Sequence, residues 1–214
     1  MPALFSPQSN RHLRLVLTVI VAAPIVSLVG LCIWVRTPWV TGESWNVEQP
    51  IEFDHRHHVE DDGIDCLYCH SAAERSQHAG IPPNSTCMGC HNQIWNETPQ
   101  LELMRENYFA RRSTAWGAVH DLPDFVYFNH AIHLDHGIGC SSCHGRVDQM
   151  PRVYQVSPLT MGWCLDCHRN PEPNLRPRDQ ITTMPWQPLP LDQQAKLAAE
   201  YGVQRKTHCS TCHR

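Results

Sequence analysis

Charge is scarce in this chain and is not biased to the basic side. Lys, Arg, Asp and Glu make up 18% of 214 residues, with 17 cations against 21 carboxylates and a net charge of −4. That balance gives no basic face for nucleic acid. Strand-like stretches are also missing, so little or no sheet is expected. Apolar runs long enough to matter are absent save one near the N-terminus. Regular structure looks sparse elsewhere. Helix is expected over Pro99 to Arg112, with Pro near its start, and over Asp192 to Tyr201, closed by Gly202. Pro151 to Pro190 is rich in proline and reads as extended coil.

What the chain does have is cysteine, and in one pattern. Ten of its 11 cysteines fall into five Cys-x-x-Cys-His motifs: Cys66, Cys69 and His70; Cys87, Cys90 and His91; Cys140, Cys143 and His144; Cys164, Cys167 and His168; Cys209, Cys212 and His213. Cys-x-x-Cys pairs also build zinc sites and thioredoxin-like dithiols. Zinc would pair two such units, and five leave one over. A redox dithiol or a disulfide has no use for the following histidine. With 15 histidines in 214 residues, five pairs would each be followed by one by chance about twice in a million. The pattern is the attachment signature of c-type haem: two thioether bonds from the thiols, and one axial ligand from the histidine. Five covalently bound c-type haems are therefore expected. Cys32, in the apolar segment, reads as inert.

From Glu43 onward the chain offers 172 residues, about 34 per motif. That is too little protein for a large side-chain core, so the haems must form the core and the domain should not fold without them. Leu15 to Val35 is a 21-residue run without charge, long enough to span a bilayer. Arg11 and Arg14 precede it, which favours the N-terminus inside. Trp34, Trp39 and Trp45 cluster at its exit. Pro24 after Ala22 and Ala23, and the length of the run, argue for a retained anchor over a cleaved signal peptide. The expected location is the bacterial inner (cytoplasmic) membrane, with a single pass, the N-terminus in the cytoplasm and the haem domain in the periplasm.

An internal repeat organises the motifs. Phe53-Asp54-His55-Arg56-His57-His58 precedes Cys66, and Phe128-Asn129-His130-Ala131-Ile132-His133 precedes Cys140. The shared frame is F-x-H-x-x-H, six or seven residues, then C-x-x-C-H, offset by 75 residues at the histidines and 74 at the cysteines. A second motif follows in each half, at Cys87 and Cys164. The fifth stands apart, and its closeness to Arg214 leaves it open to a partner's surface or to an electron exit. Histidines at i and i+3 share one helical turn and can point at two different irons. His55, His58, His130 and His133 are thus the expected distal ligands for four irons. The fifth is open between His120, Met161 and Met150, with His57, His78, His136 and His208 as weaker candidates. Methionine would make its haem the high-potential member.

The F-x-H-x-x-H…C-x-x-C-H units, over about 115 residues from Phe53 to His168, resemble the haem modules of class III cytochromes c and cytochrome c7. The anchor, the five motifs, Leu122-Pro123-Asp124-Phe125-Val126-Tyr127-Phe128-Asn129-His130, and the run Met161 to Pro171 together resemble the pentahaem ActA subunits of alternative complex III. That resemblance implies a multihaem cytochrome c fold: one transmembrane helix, then a mostly coil and short-helix domain wrapped around five haems. It implies an electron relay in a membrane quinol:acceptor oxidoreductase, not catalytic alone. Partners would be an iron–sulfur subunit, polytopic membrane subunits, a monohaem cytochrome c and a soluble acceptor such as a cytochrome or copper protein, or else a terminal oxidase. The alternative is a stand-alone quinol dehydrogenase of the NapC/NirT/TorC kind. Against it, 30 residues separate Val35 from Cys66, and the anchor has no ionisable residue to deprotonate quinol. A third reading, a multihaem reductase, needs an open iron. The expected divisions are 1–14 cytoplasmic, 15–35 anchor, 36–52 linker, 53–127 first two-haem unit with connecting helix, 128–190 second two-haem unit, and 191–214 C-terminal helix with the fifth site.

Overall fold

The computed structural model describes residues 7–213. The first six residues of the expected cytoplasmic stretch, and Arg214, lie outside the described residues. One compact unit ends at Gly42 and a second begins at Glu43.

The first unit is helical because its sequence is apolar on every side. Helix α1 runs Pro7–Trp34. Its stretch Gln8–Trp34, 27 residues that hold an 18-residue window of mean hydropathy 2.7, is about 40 Å long and so long and apolar enough to cross a membrane. Pro24 sits inside the helix without ending it. The chain leaves the helix one residue before the expected Val35, and the Arg36 guanidinium caps the last turn by donating to the Cys32 carbonyl at 2.6 Å. A short helix α2, Pro38–Thr41, follows and closes on Gly42 at φ 76°.

The second unit is built from short helices, single turns and coil. Its helices are α3 (Cys66–Cys69), α4 (Asn84–His91), α5 (Glu102–Phe109), α6 (His130–Asp135), α7 (Ser141–His144), α8 (Met161–Arg169), α9 (Leu191–Glu200) and α10 (Cys209–Cys212). A π turn spans Arg56–Asp61. Extended pairing among the described residues amounts to isolated bridges, such as Asn46 with Tyr154 and Ile138 with Leu175. The helix expected over Pro99 to Arg112 is shorter. A 3-10 turn at Pro99–Leu101 leads into α5, and the chain has left it by Arg111, at φ 53°. The extended coil expected over Pro151 to Pro190 is interrupted by α8, whose first turn Thr160 caps by accepting from the Trp163 N–H.

Side-chain core is thin. Buried apolar residues form two clusters of three, Ile51, Met88 and Met104, and Ala73, Leu134 and Ile181. A buried polar chain adds to the first: Asn107 donates to Thr114, Thr114 to Asn84, and Asn84 to the Arg112 carbonyl. It holds α4 against the segment after α5, and each of these three buried side chains has a partner.

Candidate functional site

Every motif turns its cysteines and histidine to one side by the same device. The His70 N–H bonds the Cys66 carbonyl at 2.9 Å, His144 bonds Cys140 at 3.0 Å, and His213 bonds Cys209 at 2.9 Å. These i to i+4 bonds close one α-turn, which puts i, i+3 and i+4 on a common face. The second and fourth motifs do the same inside the longer helices α4 and α8.

The two F-x-H-x-x-H segments are near copies in space. The Phe53 ring meets His55 at 4.7 Å and 88°, and His58 at 4.4 Å and 27°. Phe128 meets His130 at 4.7 Å and 87°, and His133 at 4.5 Å and 31°. His58 and His133 each bond the carbonyl four residues earlier through Nδ1 at 2.8 Å. With Nδ1 committed to a carbonyl, Nε2 is left as the lone-pair atom, the arrangement typical of metal-bound imidazole. His70, His91 and His213 likewise bond the carbonyls of Gly80, Ile94 and Phe125 through Nδ1.

Three of the four repeat histidines face a motif histidine. His58 and His91 have ring centres 6.1 Å apart, His130 and His144 6.3 Å, and His133 and His168 6.1 Å. Two metal–nitrogen bonds of about 2 Å, plus about 1 Å from each nitrogen to its ring centre, set opposed ligands of one metal about 6 Å apart. His55 is the remaining member. Burial holds its pKa down to about 4, with His70 the next cause and His58 after it. Burial, with His120, His130 and His70 adding to it, holds His144 down to about 3. Both rings are therefore neutral at neutral pH and keep a lone pair to donate.

The motifs also neighbour one another through their thiols. The Cys66 and Cys140 thiols lie side by side. Cys69 feels Cys90, Cys143 feels Cys164 and Cys167, and Cys164 feels Cys212. The fifth motif is docked rather than loose: the Tyr127 N–H bonds the Cys212 carbonyl at 2.8 Å.

His120 lies behind His144, with its Nε2 3.3 Å from Nδ1 of that ring. Met150 is buried, whereas Met161 is exposed on the first turn of α8. His57 stacks on Trp95 and pairs with Asp61 at the surface. His136 bonds the Ile132 carbonyl, His78 meets Gln77, and His208 precedes α10 at the surface. Arg176 escaped the sequence reading. It is 1% exposed, donates to Ser141 and to the Thr183 carbonyl, and lies over Trp186 at 4.5 Å. It fills the space beside Gly139, where a Cβ would come 2.0 Å from its Cζ. Only the missing side chain at Gly139 could have signalled that approach.

These observations fit haem. Axial-type imidazole pairs, paired thiols one turn apart and a thin apolar core leave room and ligands for a large flat group. Residues 126–214 match the family described as cytochrome c7 and related cytochrome c. The chain is also similar to the menaquinone reductase multihaem cytochrome c subunit of Nitratidesulfovibrio vulgaris, with 37% identity over 99 residues, 45% of this chain and 46% of that protein. The match thus spans less than half of that relative's length. By fold, the chain carries a multihaem cytochrome c7-like domain, a kind of domain that implies covalently bound c-type haem, after one apolar N-terminal helix.

Proposed function

We propose that the chain is the membrane-anchored electron-relay subunit of a quinol-oxidising complex of the alternative complex III kind, carrying five haems. Haem iron supplies reversible one-electron transfer where it is bound. In this reading the ten motif cysteines carry the thioethers, and His70, His91, His144, His168 and His213 are the proximal ligands. The distal ligands are His55 with His70, His58 with His91, His130 with His144, and His133 with His168. The observation that carries this is the set of three imidazole pairs at about 6 Å, each joining a repeat histidine to a motif histidine. His120 then supports His144 from behind. Met161 is the best placed of the rivals for the fifth iron: it is exposed, and it lies one turn from Cys164, whose thiol neighbours Cys212.

Thiol adjacency supports a spatial order of motifs that differs from chain order: second, first, third, fourth, fifth. The second and fifth would then stand at the two ends of the string. The divisions at residues 53–127 and 128–190 follow the repeat. The helix α1 is read as the anchor, with the haem domain on the periplasmic side of the cytoplasmic membrane. The partners are an iron–sulfur subunit, polytopic membrane subunits, a monohaem cytochrome c and a soluble acceptor.

The test is expression of the full chain in a host that matures c-type cytochromes, followed by mild detergent extraction. The expected mass corresponds to five haems per chain. Menaquinol should reduce them only when the other subunits are present. A lone chain that menaquinol reduces would instead be a stand-alone quinol dehydrogenase. A second reading, flow in the opposite direction toward menaquinone, is favoured by the name of the relative above. Potentials measured in the complex against the quinone couple decide between the two.

A further inference from the structure

The His130 and His144 rings differ from the other opposed pairs in their mutual orientation. Their planes lie 8° apart, against 66° for His58 with His91 and 82° for His133 with His168. Rotation of an imidazole about its metal bond is soft, so the plane is set by what holds the other ring nitrogen. In the crossed pairs, local chain does the holding. His58 and His133 bond the carbonyl four residues back, and His91 bonds one three residues on. In the parallel pair, distant chain holds both rings. His130 bonds the Gln77 carbonyl at 2.8 Å, 53 residues away, and His144 bonds His120, 24 residues away. His120 stands edge-on to His144 at 81°, with ring centres 4.4 Å apart.

We propose that His120 is a positioning residue that fixes the plane of His144 and thereby makes the third haem site a near-parallel bis-imidazole site, unlike the second and fourth. The proposal rests on the reading that His130 and His144 are the axial pair of that site. Its consequence is spectroscopic. Low-spin ferric haem with parallel imidazoles gives an ordinary rhombic electron paramagnetic resonance signal. Crossed imidazoles give a strongly anisotropic signal at low field. The second and fourth sites belong to the crossed class and the third to the parallel one.

The test uses the full, haem-loaded chain in detergent. His120→Leu keeps the bulk and removes the acceptor, and His120→Gln keeps an acceptor in Oε1. In the wild type, the third site should contribute one haem per chain to the rhombic component. In His120→Leu that component should move toward the low-field class, and one midpoint potential should shift, with haem content unchanged by mass. His120→Gln should restore the rhombic component. Should His120→Leu not accumulate, His120→Asn, with a shorter acceptor, replaces it and should move the signal part of the way. A rhombic component that stays put in His120→Leu, or in His120→Asn where that variant replaces it, overturns the positioning role. His130→Ala checks the underlying reading separately: it should turn one haem high-spin. If every haem stays low-spin there, the axial pairing is wrong; if one turns high-spin while the His120 variants change nothing, only the positioning role fails.

Discussion

The two repeats, Phe53–His70 and Phe128–His144, hold their histidines alike and their motifs differently. In each, one phenylalanine packs edge-on to the first histidine and near-flat on the second, with distances agreeing to 0.1 Å. In each, a left-handed glycine, Gly63 or Gly137, turns the chain, and the next N–H, of Ile64 or Ile138, closes on the second histidine's carbonyl at 3.0 Å. The first repeat has one residue more between these points. It takes up the extra residue as a π turn, Arg56–Asp61, where the second has the α-turns of α6. The arrangement of the two histidines about the phenylalanine is thus the same at both spacings, because the extra residue falls after His58.

The difference lies in what surrounds the histidines. His130 and His144 are held through Nδ1 by Gln77 and His120. His70 is held by Gly80, and His55 Nδ1 is buried without a protein partner. Where the first repeat has Asp65, which caps α3 and accepts from Thr182, the second has Gly139, against which Arg176 lies. The first repeat closes its motif with a side chain of its own, and the second with one from 37 residues downstream.

That aligned position gives the largest expected contrast. Gly139→Ala should cost about 3 kcal/mol or more, because a buried guanidinium must move. Asp65→Ala should cost about 1 kcal/mol for a lost cap. Denaturant titration of the haem-loaded chain checks both, and equal costs would break the contrast. The shared phenylalanine should behave alike in both halves: Phe53→Ala and Phe128→Ala are each expected to cost about 2 kcal/mol for a half-buried ring. Thermal unfolding that separates them widely would mean the repeats are less alike than they look. Deleting Asp62 should give the first repeat the spacing of the second, at a change within about 1 kcal/mol, with the haem count and the His58–His91 low-spin signal retained. Loss of a haem would show that the π turn sets ligand position after all. The smallest effect belongs to the Arg205–Glu172 pair at 2.7 Å, which ties the C-terminal segment down. Arg205 holds the Glu172 pKa below its ordinary value. Its contribution is therefore full above the ordinary carboxylate pKa and is lost as pH falls through the lowered one. Arg205→Ala should cost under about 1 kcal/mol at neutral pH. In thermal melts across pH, its difference from wild type should vanish in acid.

Much of the site was legible because covalent haem attachment demands local spacing. A thiol, a second thiol three residues on and a histidine beside it must share one turn, so the motif is written contiguously. The repeat was legible for the same reason: Phe, His and His lie within six residues. The apolar helix needed only its composition. His120 shows where this stops. As an unassigned histidine it read as a candidate for the fifth iron, but its Nε2 lies against His144. The proline-rich stretch from Pro151 read as coil, yet the fourth motif carries its own capped helix there.

The sequence by itself determined the haem motifs, the duplicated histidine frame and the apolar helix, because each rests on neighbours in the chain. Which histidine faces which motif, which thiols lie side by side and which ring planes run parallel were decided only by the tertiary structure. Those contacts join residues 14 to 74 positions apart, from His130 with His144 to Cys66 with Cys140. With so few buried apolar side chains, no residue pattern announces which segments will meet. The packing is organised around the space the haems take, and that space leaves no periodicity in the chain.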